Sequence, residues 1–493
     1  MRDQSLQPSQ IIFPSALEPA AHDAGDEHVD LSHDPWGWLE VFVLVQVLWG
    51  ALLFVPGSQA YRIYIRAFPY VASLVALIAC SRSSGADSRV PGTPWVIAAF
   101  ATLIVGLVHP STWLMAGAAQ VVFQLSIAAP VFWAARVWMT KARLERLLKL
   151  VFGANLLSAG LGLLQVYYPA TFMPPEFSQL ALRMNADVVG SLTYIGAAGR
   201  EIVRPPGLSD LPGGAAIAGT VTALLGFGLG MSPREPYLRR YLYLGTAIVG
   251  ITVVYLTQVR SMLVMICLCM LALSAVRLRQ GRIVESGWIA ASAAGLIAAA
   301  FVWAVTVGGA SVAERFSAIL DIGLARSYQE NRGIFLSYTV NELVWEYPFG
   351  AGVGRWGMMS AYFGEPENWR VPALWAEIQP TGWLYDGGVL LWLFYGGAIA
   401  VSAAYTFRAA SDRDSDTSDL ATMIFSIQML VIGLCFTGPV FNTQMGIMYW
   451  LLTAGVYGAE RTAAAEAEMA QDEDEAEDRG DEDDWGDEEQ EAS

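Results

Sequence analysis

Residues 241–276 read YLYLGTAIVGITVVYLTQVRSMLVMICLCMLALSAV, an apolar run interrupted only by Gln258, Arg260 and Ser261. One spanning helix needs about 20 such residues, so a run of about 36 is too long for one span and predicts a tight helical hairpin with Arg260 at its tip. Working outward, further apolar runs lie at 38–55, 67–80, 95–108, 113–139, 147–168, 213–230, 288–307, 384–407, 420–437 and 440–457. Together with the two arms of the hairpin, 241–256 and 262–276, they predict about twelve membrane helices. The expected fold is therefore all-α, a polytopic membrane helical bundle with a large, partly helical external loop. Composition agrees, with 54% hydrophobic and 15% charged residues over 493 and a mean hydropathy of +0.41, too apolar for a water-soluble chain of this length.

The formal charge of −17 belongs to the ends. Residues 459–493 carry 17 acids against Arg461 and Arg479, and the first 37 residues carry seven acids against Arg2. The body from 38 to 458 is then mildly basic, at about +4. Both tails are dense in like charge and read as disordered, the C-terminal one as a solubilising segment. The start, MRDQSLQPSQ, has no basic stretch followed by an apolar core, so the first membrane helix is expected to serve as the insertion signal. Lys141, Arg143, Arg146, Lys149, Arg234, Arg239, Arg240, Arg277, Arg279, Arg282, Arg408 and Arg413 fall in one set of loops, and few cations fall in the short loops of the other set. With the basic loops inside, both tails are cytoplasmic, and two long loops, 168–212 and 308–383, lie outside. Loops of that length usually carry function.

No phosphate-binding glycine loop precedes a helix, so nucleotide-driven chemistry is not indicated. The apolar runs hold almost no Asp, Glu, Lys or His, Asp386 being the main exception, so a proton relay through the membrane is not indicated either. Cys80, Cys267, Cys269 and Cys435 sit inside apolar runs without metal-ligand spacing, and neither metal nor cofactor is expected. Arginine stands out on the outer side. Arg183, Arg200, Arg204, Arg315, Arg326, Arg332, Arg355 and Arg370 lie in the long loops and Arg260 at the hairpin tip. Guanidinium is always charged, forks onto phosphate and tolerates partial dehydration better than ammonium. An anionic ligand at the outer interface fits that set; Arg260 can also be read as an anchor reaching for the head groups.

Three stretches carry the argument further. The first is Val203-Arg204-Pro205-Pro206-Gly207, running through Gly213-Gly214 into a membrane helix. Thr257-Gln258-Val259-Arg260 closes the hairpin. Asn331-Arg332-Gly333 is followed by Pro348-Phe349-Gly350-Ala351-Gly352-Val353-Gly354, whose glycines let the backbone come close to a ligand or to another backbone. A further helix follows Glu377-Ile378-Gln379 and carries Asp386, Gly387 and Gly388. In this order the set resembles the O-antigen ligase and polymerase superfamily of bacterial membrane glycosyltransferases, over about 250 residues from Arg204 onward. That family places a histidine before the last of these helices; here Glu377 falls at that position, with Gln379 nearby.

The resemblance implies transfer of a glycan from a polyprenyl diphosphate at the periplasmic face of a bacterial inner membrane, with no cofactor. Arg204, Arg260 and Arg332 would hold the diphosphate, Glu377 would take the acceptor's proton and Gln379 would orient it, and Tyr328 and Trp383 would stack on sugar rings. The missing histidine favours a polymerase of repeat units for an exopolysaccharide or O-antigen-like glycan over terminal transfer by a ligase. The implied partners are the lipid-linked oligosaccharide, membrane lipid and chain-length or export machinery; nothing calls for nucleic acid. A flippase for the same lipid would also want outer cations but predicts two related halves and a polar route through the membrane. A scaffold whose acidic tail recruits a partner is the non-catalytic alternative.

Overall fold

The computed structural model describes residues 37–484 apart from 56, 82–88, 138, 174–192, 196–200, 210–212, 233–234, 258, 309–322, 366–367 and 414. Residues 1–36 and 485–493 lie outside the described set. Every apolar run contains a helix: α1 (Trp38–Leu48), α2 (Arg62–Ser81), α3 (Thr93–Gly106), α4 (Leu114–Ala128), α5 (Lys141–Tyr167), α6 (Gly214–Met231), α7 (Tyr237–Thr257), α8 (Arg260–Arg279), α9 (Ile283–Gly308), α10 (Gln379–Ser411), α11 (Ser418–Leu434) and α12 (Gln444–Asp484). Among the described residues seven of these are long and apolar enough to cross a membrane, and eight if α4 and the short helix bent from it by 46° count as one span. α1, α3 and α11 are apolar but shorter. Residues 241–276 divide as their length requires, α7 ending at Thr257 and α8 beginning at Arg260.

α6 is the most deeply buried of the seven. Small residues let α7 close on it: a Cβ at Gly219 would come within 2.6 Å of the Gly250 carbonyl, and one at Gly226 within 2.9 Å of the Tyr243 carbonyl. Between apolar helices in lipid, such close backbone approach replaces the hydrophobic drive available in water. Elsewhere the core is filled by large rings. Trp133, Trp450, Tyr395, Tyr449, Phe227 and Phe441 are all fully buried, and Tyr395, Phe441 and Trp450 meet edge to face or tilted, centroids 5.5–6.2 Å apart, an arrangement ring quadrupoles favour.

The antiparallel helices end on two rims. On the rim that carries the start of α1, Glu40 is fully buried and takes the forked Arg143 guanidinium at 3.1 and 3.2 Å. Lys149 bridges Glu145 and Glu235 at 2.6 and 2.7 Å, and Arg277 meets Asp419 at 2.7 Å. Many of the cations assigned above to one set of loops thus gather on this rim with acids of their own. The other rim carries the hairpin tip, the start of α10 and the described parts of both long loops.

One expectation needs correction. The C-terminal segment, read as disordered from residue 459, continues α12 as helix through Asp484. An Ala- and Glu-rich stretch propagates readily from a helix already nucleated in the core, and the Tyr405 hydroxyl, hydrogen-bonded to Glu460, ties its first turn to α10. The body is helical as expected; within the first long loop Thr193–Ile195 and Glu201–Val203 pair antiparallel, Tyr194 opposite Ile202.

Candidate functional site

The glycine segment 348–354 packs against a break in α10. Gly387 (φ −156°) and Gly388 (φ +65°) leave the helical conformation. Into the gap the Ala351 N–H donates to the Tyr385 carbonyl at 2.8 Å, and the Val389 N–H donates to the Pro348 carbonyl at 2.9 Å. A Cβ at Gly388 would collide with the Pro348 carbonyl, and one at Gly354 with the backbone of Ala116. Asp386 is fully enclosed at the centre of this junction. Its carboxylate accepts the Gly354 N–H at 2.9 Å and the Gln120 amide at 2.8 Å. The glycines therefore serve backbone-to-backbone packing, which positions the loop that follows.

That loop leads to Glu377. Arg355 is buried and donates to the carbonyls of Ala351 and Pro372 at 2.7 Å each, pinning the chain that returns toward α10. At its end, Glu377 forms an ion pair with Arg332 through one carboxylate oxygen and accepts the Trp375 indole N–H at 3.0 Å through the other. Arg332 lies in a π-helical turn, Gln329–Gly333, inside the helical stretch of the second long loop; wide turns of this kind recur at functional positions. The Arg332 side chain is 41% exposed and that of Glu377 23%, so the pair faces a partly open surface. Partial burial draws the Arg332 guanidinium below its ordinary value.

Two hydrogen bonds hold this stretch in place. The Tyr328 hydroxyl donates to the Phe436 carbonyl at 3.2 Å, and the hydroxyls of Thr339 and Thr381 meet at 2.7 Å. Gln379, the other residue expected beside the acid, is fully buried. Its backbone N–H donates to the Cys435 carbonyl and its Oε1 accepts the Phe441 N–H, both at 2.9 Å, and its amide nitrogen has no partner among the described residues. Gln379 thus ties the start of α10 to the turn between α11 and α12. Trp383 does not present a face for stacking: it is 7% exposed and packs on Tyr395 and Phe441 at 4.8 and 5.7 Å, because α10 turns that side toward the core.

Arg204 lies at the hairpin tip, where Arg260 opens α8. The Gln165 side chain grips Gly207 through both its N–H (2.9 Å) and its C=O (3.0 Å), and Ser158 accepts the Leu208 N–H at 3.0 Å. These bonds fix the Pro-Pro-Gly turn that carries Arg204 into α6. A Cβ at Gly213 would lie 3.7 Å from the Val259 side chain and 4.0 Å from that of Arg204, so Arg204 adjoins the hairpin tip. Arg260 opens α8 as its first residue; its side chain lies outside the described set, as do Arg183, Arg200 and Arg315. One and a half turns into α8, Met265 overlies Gly433 of α11, two residues before the Cys435 that holds Gln379. Of the remaining loop arginines, Arg326 pairs with Glu330 at 2.9 Å and Arg370 lies over the Trp369 ring.

Gln120, Phe436 and Trp375 were not singled out from the sequence for these contacts. Gln120 and Gln124 are one turn apart in an apolar helix, a spacing that signals a polar face turned toward other helices; the carbonyl of Phe436 leaves no such signature. Among the described residues no three His, Cys, Asp or Glu side chains gather closely enough to hold a metal ion.

Fold and rim together define a helical protein of the multi-pass membrane type. Compared with known proteins, the chain matches no family model and no curated relative.

Proposed function

We propose that this protein is a membrane glycosyltransferase that lengthens a glycan carried on a polyprenyl diphosphate. The observation that carries the reading is the Arg332–Glu377 pair, a partly exposed cation and carboxylate on the same rim as Arg204 and the hairpin tip that Arg260 opens. A diphosphate at head-group depth meets cations there. An arginine at the first position of α8 opposes the helix dipole, and a bound anion offsets both. In the reaction, an acceptor sugar hydroxyl attacks the anomeric carbon, the bond from that carbon to the phosphate oxygen breaks, and its electron pair leaves with the lipid diphosphate. Clamped guanidinium groups stabilise that leaving charge, and Glu377 takes the hydroxyl proton. Repeat-unit polymerisation is favoured over terminal ligation because a carboxylate stands where ligases of the resembled family carry histidine.

The test is incubation of the purified full chain with lipid-diphosphate-linked oligosaccharide and no nucleotide sugar. Longer lipid-linked products and free lipid diphosphate are expected in equal amounts. Failure to form either would overturn the reading.

A further inference from the structure

We propose that the Arg332–Glu377 ion pair is a resting lock opened by the donor's own diphosphate, so that donor binding releases the carboxylate that receives the acceptor's proton. This rests on the function proposed above.

Both oxygens of Glu377 are engaged, one by Arg332 and one by the Trp375 indole N–H. A carboxylate held this way has neither oxygen free to receive a proton. The geometry therefore assigns Glu377 two successive states. A diphosphate offers more charge and more oxygens than one carboxylate, and a planar guanidinium forks onto it. As Arg332 turns to the diphosphate, Glu377 keeps only the Trp375 N–H and gains a free oxygen. The π-helical turn under Arg332 and the partial exposure of both side chains leave room for that exchange, while the Tyr328–Phe436 and Thr339–Thr381 bonds anchor the stretch on either side. Without donor, the paired carboxylate cannot activate water or a stray hydroxyl.

A ligand that must first displace an internal partner binds more weakly by the fraction of time its site is open. Removing the competitor should therefore tighten binding, the reverse of what loss of a stabilising contact does. The probe is a short-chain prenyl diphosphate, titrated against the full chain in detergent, with the corresponding prenyl alcohol as control. Glu377→Gln is expected to bind the diphosphate about fivefold more tightly, the scale set by a half-exposed ion pair, with the alcohol unaffected and transfer lost. Glu377→Asp, which keeps the charge on a shorter arm, should tighten binding about twofold and so serves if the Gln variant fails to fold. Arg332→Ala should bind the diphosphate at least tenfold more weakly. Unchanged or weaker binding in both Glu377 variants, with Arg332→Ala still impaired, overturns the lock alone. Equal affinity of the wild type for diphosphate and alcohol overturns the diphosphate reading beneath it.

Discussion

At Trp375 the indole N–H donates to the oxygen of Glu377 that Arg332 does not hold. Trp375→Phe keeps most of the ring area and removes that one donor, so transfer should slow about three- to tenfold at unchanged donor KM, measured by product formation under saturating donor. Arg332→Lys should lose most activity despite keeping the charge, because an ammonium cannot fork onto a diphosphate; the same assay checks it, with wild-type abundance in the membrane as control. Legibility at this scale was uneven. Arg332 and Glu377 were visible from sequence as a loop cation and as the acid preceding a helix, but their mutual contact depends on the Arg355 staple and the Thr339–Thr381 bond, which no local pattern announces. Trp383 was misread because an aromatic at a helix start offers itself equally to sugar or to core, and only the packing on Tyr395 and Phe441 decides between them.

Among the elements, α10 is the one whose irregularity does structural work. Its break at Gly387 and Gly388 receives the glycine segment, and Asp386 closes the junction by accepting from Gly354 and Gln120. Gly388→Ala must place a Cβ at φ +65° against the Pro348 carbonyl, which should cost about 2–4 kcal/mol. It would be read as a lowered thermal midpoint of the purified protein, and an unshifted midpoint would remove the junction from the account. Asp386→Leu should lower stability by a similar amount, about 2–4 kcal/mol, since it leaves two buried donors unpaired. The glycines themselves were legible as positions where backbone must come close; what approaches them was not. The hairpin of α7 and α8 was the most legible element of all, because an apolar run of that length admits one reading in a bilayer. By contrast, the helical continuation of α12 to Asp484 was obscured by its charge, which signals disorder only when no nucleated helix precedes it.

For the whole molecule, ion pairs form on both rims: Glu40 with Arg143 and Arg277 with Asp419 on one, and Arg326 with Glu330 and the partly exposed Arg332 with Glu377 on the other, where Arg204 lies near the hairpin tip. The acidic end of α12 leaves from the first of these rims, so deleting 472–493 should leave thermal stability and elongation within error of wild type, while Tyr405 keeps its bond to Glu460. Loss of elongation on that deletion would favour the scaffold reading. The proposed role of the second rim is to hold a diphosphate between its guanidinium groups. It is tested most directly by determining the structure of the full chain with a polyprenyl diphosphate bound. The two phosphates are expected between Arg204, Arg260 and Arg332, with Glu377 turned away from Arg332. A diphosphate bound on the opposite rim, or one touching none of the three arginines, would contradict it.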